Sequence, residues 1–151
     1  MTRAAVGGTF EVLHKGHRAL LARAFAEGDP VLIGLTTDEM AVRSRDRKVK
    51  PYGERERTLR EYLDSTFPDQ RYEIVAISDE LGPAASMLEL NVLVVSEGSF
   101  RNGTRINEKR YGRGLQGLRL VRIPNVLADD GKPISSTRVL AGECDAEGRT
   151  P

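Results

Sequence analysis

The chain has two histidines, His14 and His17, and both stand in the stretch VGGTFEVLHKGH at residues 6–17, beside a glycine pair and a threonine. Glycines let a backbone approach a ligand closely, and the free amides of a first helical turn point at whatever negative charge lies before them. Phosphate is the natural occupant. If a helix begins near His14, a spacing of three puts both imidazoles on one side of its first turn. A second turn of this kind is GKPISSTR at residues 131–138, where Ser135, Ser136, Thr137 and Arg138 gather at a helix start. Hydroxyl residues in such places are commonly plain helix caps, as His14 and the pair Ser96-Glu97 could also be. Two such turns together would suit a triphosphate spanning two loops.

The elements that must position these residues follow from hydropathy. Residues 3–6 form a short apolar run, and Leu20, Leu21, Ala24 and Phe25 recur at helical spacing within 18–27, so the histidines sit on a strand-to-helix connection. Residues 31–35 read as a strand, and Thr36-Thr37-Asp38 as the cap of a short helix carrying Met40 and Val42. Pro51 to Gly53 punctuates before a charged helix at 54–65 with Leu59, Tyr62 and Leu63 on its buried stripe. Further strands are predicted at 72–77, 92–95 and 118–123, with helices at 84–90, 103–111 and 136–140. Nearly continuous apolar runs suit parallel strands covered on both faces. The alternation predicts an α/β fold, a doubly wound parallel five-stranded sheet in three layers. Ligands of such sheets bind beyond the carboxyl ends of the strands, so the loops 8–17, 36–50, 96–105 and 132–138 should converge on one crevice.

A length of 151 residues with 39% hydrophobic content predicts a single domain, with residues 145–151 as a frayed tail. One cysteine, Cys144, excludes an intramolecular disulfide, and together with two histidines it leaves too few ligands for a structural zinc site, so no metal ligands are assigned. No apolar run approaches the roughly 20 residues of a membrane span, and MTRAAV has no signal-peptide core, so a cytoplasmic location without membrane attachment is expected. The net charge is +1, but residues 43–60 hold eight basic side chains against three acidic ones. This run has no aromatic interleaving beyond Tyr52, which argues against nucleic acid as a partner.

The pair GTFEVLHKGH and ISSTR resembles the HxGH and ISSTxxR signatures of the nucleotidylyltransferase superfamily, Rossmann-like enzymes that transfer a nucleotidyl group and release pyrophosphate. Ile134 lies 117 residues beyond His17, which puts one signature in the first strand-helix unit and the other in the last. Within the superfamily, the stretches GGTFEVLHKGHRALLARAF, IGLTTDEM, KPYGERERTL, LVVSEGSF, RINEKR and GKPISSTRVLAGE are similar to the archaeal and eukaryotic type of pantetheine-phosphate adenylyltransferase. That resemblance implies transfer of AMP from ATP to 4′-phosphopantetheine, giving dephospho-coenzyme A and pyrophosphate.

It also implies roles. The acceptor phosphate is already a nucleophile at neutral pH, so catalysis should be positioning and electrostatics, with no covalent intermediate. His17 is placed to donate to the oxygens of the α-phosphorus, with His14 assisting phosphate binding. Gly8, Thr9 and the backbone of Phe10 would orient nucleotide and acceptor phosphate. Lys48 would bridge the two phosphates, with Lys50 and Arg47 as neighbouring alternatives, and Arg55 would contact substrate. Ser96 and Glu97 would touch the nucleotide, while Ser135, Ser136, Thr137 and Arg138 would hold the β- and γ-phosphates, with magnesium bridging ATP oxygens. Two departures stand out: Glu11 replaces a common aspartate, and Leu140 replaces the last arginine of ISSTxxR, leaving the triphosphate to Arg138 or another cation. The alternative functions are a cytidylyltransferase of phospho-alcohols or a nicotinamide or flavin mononucleotide adenylyltransferase, which share this chemistry, and a noncatalytic nucleotide or coenzyme A sensor, which Leu140 suggests. The oligomeric state is not specified by the sequence.

Overall fold

A computed structural model describes residues 2–151. Its strands β1 (Ala4–Gly8), β2 (Val31–Thr36), β3 (Tyr72–Ile77), β4 (Val92–Ser96) and β5 (Arg119–Ile123) form one parallel sheet in the order β3-β2-β1-β4-β5. The helices are α1 (Lys15–Glu27), α2 (Asp38–Arg45), α3 (Tyr52–Thr66), α4 (Phe100–Gly112) and α5 (Ser136–Leu140). This is the doubly wound, three-layered sheet that the alternating pattern predicts, Rossmann-like as the resemblance implies. The chain runs outward from β1 through β2 to β3, then returns to build β4 and β5 on the other side. The carboxyl ends of β1 and β4 therefore flank the switch point, where such sheets bind ligands.

Side chains alternate across each strand, and the core divides accordingly. Ala4, Val6, Val31, Ile33, Leu35, Val92 and Val94 pack on one face against Leu21, Ala24 and Phe25 of α1 and Leu59 and Leu63 of α3. Ala5, Leu32, Leu93 and Val95 pack on the other against Ile106 of α4 and against Ala84 and Leu90. The two-sided burial explains why β2 is buried at every position.

The helix predicted at 84–90 does not form. In its place stands one 3-10 turn, Pro83–Ala85, followed by irregular chain in which Leu88 is exposed. The cause is the buried guanidinium of Arg110, which donates to the carbonyls of Ala84 at 2.8 Å, Met87 at 2.7 Å and Gln116 at 2.7 Å. A helix would need the Ala84 carbonyl for its own ladder. The tail also departs from expectation. Lys15 donates its amide to the Ala146 carbonyl, Asp129 to that of Gly148, Arg18 pairs with Glu147, and Cys144 is buried with Ala128 and Ile134. Among the described residues no helix is long and apolar enough to cross a membrane.

Candidate active site

His14 is the N-cap of α1, in extended backbone conformation, and its Nδ1 accepts from the amides of Gly16 at 3.0 Å and His17 at 3.3 Å. An accepting Nδ1 places the ring proton on Nε2. The glycine of the motif has a local reason: a Cβ at Gly16 would lie 2.9 Å from His14 Cε1. His17 has the opposite tautomer. Its Nδ1 lies 2.7 Å from the Val12 carbonyl, which only accepts, so Nδ1 carries the proton and Nε2 is bare in the neutral ring. The rings stack with centroids 3.8 Å apart, which disfavours charge on both. Burial, then the charges of Arg18 and Arg45, lowers His14 to about 4. Burial, then neighbouring His14, lowers His17 to about 3, against the opposing pull of its bond to Val12. The ligand-free site thus offers one neutral N–H donor, on His14, and one ring that becomes a donor at Nε2 only by taking a proton.

The residues between strand and helix are held from beneath. Phe10 is fully buried at a left-handed φ of 48°, and its ring tilts against His17 at 5.0 Å. Thr36 donates its hydroxyl to Thr9 Oγ1 at 3.0 Å, which leaves the Thr9 O–H free to donate. Arg55 lies where the sequence does not put it. With its side chain 0% exposed, it donates to the carbonyls of Thr9 at 3.0 Å and Lys50 at 2.8 Å, to Thr36 Oγ1 at 3.4 Å and to Asp38 at 3.0 Å. It is a clamp beneath the loops after β1 and β2, with its side chain wholly covered.

Glu11 ties the next loop to the first turn. It is buried, and accepts from Arg47 Nη2 at 2.8 Å on one oxygen and from the Lys50 amide at 3.0 Å on the other. Burial alone would raise its pKa, but these hydrogen bonds and the charges of Arg47 and Arg45 hold it below the ordinary value. Lys48 and Lys50, on the loop so anchored, both expose their side chains. Four basic residues of the 43–60 run are paired with carboxylates: Arg43 with Glu39, Arg47 with Glu11, Arg55 with Asp38 and Arg60 with Glu56.

The second turn meets the first through Val12. Ser136, buried, accepts the Val12 amide at 3.2 Å, and its hydroxyl lies 3.4 Å from the same carbonyl that holds His17. Ser135 is the N-cap of α5 and accepts from the Arg138 amide at 3.1 Å. Arg138 is turned into its own loop: it pairs with Asp130 and Glu143 and donates to the carbonyls of Lys132 at 3.2 Å and Pro133 at 2.9 Å. Leu140 is exposed. Thr137 is the exposed member of the cluster, and its hydroxyl accepts from Arg47 at 3.0 Å. Ser96 forms a reciprocal cap with Ser99, their hydroxyls 3.0 Å apart, and Glu97 stands exposed beside it.

The loops after β1, β2 and β5 thus touch one another. The loop after β4 faces Gly8 and Thr36 across a cavity of about 210 Å³, lined by Gly7, Gly34, Val75, Ile77, Leu81 and Asn102 among others. The cavity lies on the sheet face where the predicted helix at 84–90 is missing. Among the described residues no cluster of three His, Cys, Asp or Glu could cage a metal, and Glu11 has both oxygens occupied by Arg47 and Lys50. Sequence reasoning missed Glu11 and Arg47 as site-builders, and Thr36, Asp38 and the Val12 peptide altogether. A buried acid inside a glycine-rich turn, next to a basic loop, was the one available signal.

Residues 5–142 match the cytidylyltransferase-like family. A bifunctional phosphopantetheine adenylyltransferase/NTP phosphatase of Thermoplasma volcanium is 42% identical over 144 residues, covering 95% of this chain and 43% of that protein. The chain therefore spans less than half the length of that relative. A phosphopantetheine adenylyltransferase of Methanosarcina barkeri is 40% identical over 152 residues, covering 99% of this chain and 92% of that one. The crystal structure of a protein of unknown function from Archaeoglobus fulgidus superposes with a TM-score of 0.74 at 33% identity, covering 81% of this chain and 89% of that one.

Proposed function

Because the chain belongs to the cytidylyltransferase-like family, we propose that it transfers the adenylyl group of ATP to 4′-phosphopantetheine, giving dephospho-coenzyme A and pyrophosphate in the cytoplasm. The relatives matched over nearly their full length are phosphopantetheine adenylyltransferases, which supports the acceptor. The observation that carries the reading is the apolar cavity beside Gly8 and Thr36. An acceptor whose phosphate sits at Thr9 and Lys48 would extend a slender arm of methyl, methylene and amide groups into it. A small phospho-alcohol such as a phosphorylated amino alcohol has no arm to fill this space.

An oxygen of the acceptor phosphate attacks the α-phosphorus, a new P–O bond forms, and the bond to the β-phosphate breaks. The free O–H of Thr9, oriented by Thr36 and Arg55, and the amides near Gly8 and Phe10 hold the acceptor phosphate. Lys48 lies between the two phosphates. His14 donates from Nε2 to the nucleotide without any change of charge. The triphosphate favours the imidazolium of His17, whose Nε2 then donates to the α-phosphate oxygens as negative charge gathers there. Ser135, Ser136, Thr137 and Arg138 shape the place of the β- and γ-phosphates, and Ser96 and Glu97 border the nucleotide. A divalent cation, magnesium in this reading, would come with ATP rather than be caged by protein carboxylates, and would supply positive charge to the departing pyrophosphate. Arg55 positions Thr9 and Lys50 and does not touch substrate.

The test is release of pyrophosphate from ATP, magnesium and 4′-phosphopantetheine, with identification of dephospho-coenzyme A. Preferred turnover of CTP with a phospho-alcohol, or of ATP with a nicotinamide or flavin mononucleotide, would overturn the acceptor. Nucleotide binding without pyrophosphate release from any pair would overturn catalysis in favour of a sensor.

A further inference from the structure

The second motif ends on an uncharged residue, Leu140, and the arginine that the sequence offers in compensation is not free. Arg138 has only 13% of its side chain exposed and faces Asp130, Glu143 and two carbonyls of its own loop. Arg47, from the segment between α2 and α3, reaches the same turn from the other side. Its Nη2 donates to Thr137 Oγ1 at 3.0 Å and its Nε lies 3.4 Å from the same oxygen, while Nη2 also meets Glu11 at 2.8 Å and Nη1 the Lys48 carbonyl at 3.0 Å. Of the two arginines that meet at this turn, Arg47 alone makes hydrogen bonds to both motifs.

We propose that Arg47 binds the β- and γ-phosphates of ATP, supplying from the β2-α3 connection the cation that the second motif lacks. The inference rests on the adenylyl-transfer reading for the identity of the nucleotide. Glu11 is the anchor that makes it work: it holds the guanidinium through one Nη2–H and leaves one Nη1–H, with the N–H groups of Nε and Nη2 over Thr137, for the ligand. A bond from guanidinium to a neutral hydroxyl is weaker than one to a phosphate oxygen, so the anion displaces Thr137 as acceptor. The Thr137 O–H, released, is itself a donor to the same phosphates. Arg45 is the competing cation, since its charge is felt by both histidines and by Glu11, but it makes no hydrogen bond to either motif among the described residues.

The experiment uses the full chain with Arg47→Gln, Arg47→Lys and Arg45→Gln, and titrates ATP and AMP by calorimetry beside steady-state kinetics with 4′-phosphopantetheine. Gln removes the charge while keeping a polar side chain. Arg47→Gln is expected to weaken ATP about tenfold, as for the loss of one charge-assisted contact, with AMP changed by less than about twofold. Arg47→Lys should retain most of the ATP affinity. Unchanged ATP affinity in Arg47→Gln, an equal loss for AMP, an equal loss in Arg47→Lys, or a larger loss in Arg45→Gln would each overturn the assignment. Failure of the wild-type chain to release pyrophosphate would overturn the adenylyl-transfer reading, whereas a tenfold loss of ATP binding in Arg47→Gln would still support Arg47.

Discussion

The turn after β1 and the turn before α5 look alike as strings, each a polar cluster at a helix start, yet the fold uses them differently. In the first, the structural work is done by backbone, by the Nδ1 atoms of both histidines and by Arg55 from below, so Thr9 O–H and both imidazole Nε2 atoms remain for a ligand. In the second, the side chains themselves do that work: Ser135 caps, Ser136 holds Val12, and Arg138 closes its loop. Only Thr137 faces outward, already covered by an arginine from elsewhere. A motif letter therefore does not say whether its side chain serves the ligand or the fold. The accounting of hydrogen bonds does.

Acid should separate the two turns most sharply. His14 and His17 stay neutral in the folded chain down to about 4 and about 3, whereas unfolded histidines take protons near 6.5. Below 6.5 the unfolded state binds more protons, so stability present above that pH is lost as pH falls toward the folded values. By pH 5 the loss is about 2 kcal/mol for each histidine. The second turn titrates later. Asp130 is held below its ordinary value by the Lys132 amide and by Arg138, so its contribution disappears only below the ordinary aspartate range. Thermal unfolding of the ligand-free chain from pH 7 to 5 should show a steep decline that a His14→Gln/His17→Gln double variant flattens, and that ATP reduces. A wild-type chain equally stable at both pH values would mean that these rings are not kept neutral.

Removing the clamp comes next. Arg55→Leu leaves the carbonyls of Thr9 and Lys50 without their donor and Asp38 with only the Tyr52 amide, at a cost of roughly 3 kcal/mol, or a fall in Tm of about 10 °C for a chain of this size. The counterpart Arg138→Leu should lower Tm less, because its ion pairs lie nearer the surface. Equal losses would erase the distinction between a turn held from beneath and one held by its own side chains. For chemistry the largest single effect falls on the first turn: His17→Ala should lower kcat about a hundredfold or more with KM little altered, the mark of a donor engaged mainly in the transition state. Near-normal turnover would place the catalytic donor elsewhere, with His14 the first alternative.

The strands were legible because each is a local apolar run, and the cap at Thr37, which accepts from the Met40 amide, needs only neighbours in sequence. The helix at 84–90 was misread because its carbonyls are taken by Arg110, more than 20 residues away. The tail was misread for a similar reason, since its partners Lys15 and Arg18 are distant in sequence. Within the site, spacing was enough to bring the histidines to one helix start. It gave no hint that Nδ1 of one ring accepts and of the other donates, because the Val12 carbonyl that decides the latter is positioned by the fold. Arg55 and Arg138 were both read as ligand-facing because charge at a loop is visible in sequence while its internal acceptors are not.

Ser136 is where the two turns become one site, and its removal gives the smallest effect with the clearest meaning. Its hydroxyl accepts the Val12 amide, and the Val12 carbonyl sets the tautomer and direction of His17. Ser136→Ala leaves that amide without a partner and removes the hydroxyl 3.4 Å from the Val12 carbonyl, which keeps the His14 amide but is held less firmly beneath His17. The expected result is a fall in kcat of about tenfold, since a misdirected donor loses part of its transition-state interaction. The KM for ATP should barely move. If Ser136 acts through His17, the two losses are not additive, and Ser136→Ala placed on His17→Ala lowers kcat no further. A full tenfold loss in that background would show that Ser136 meets the triphosphate itself, and would make the second turn more like the first than its hydrogen bonds imply.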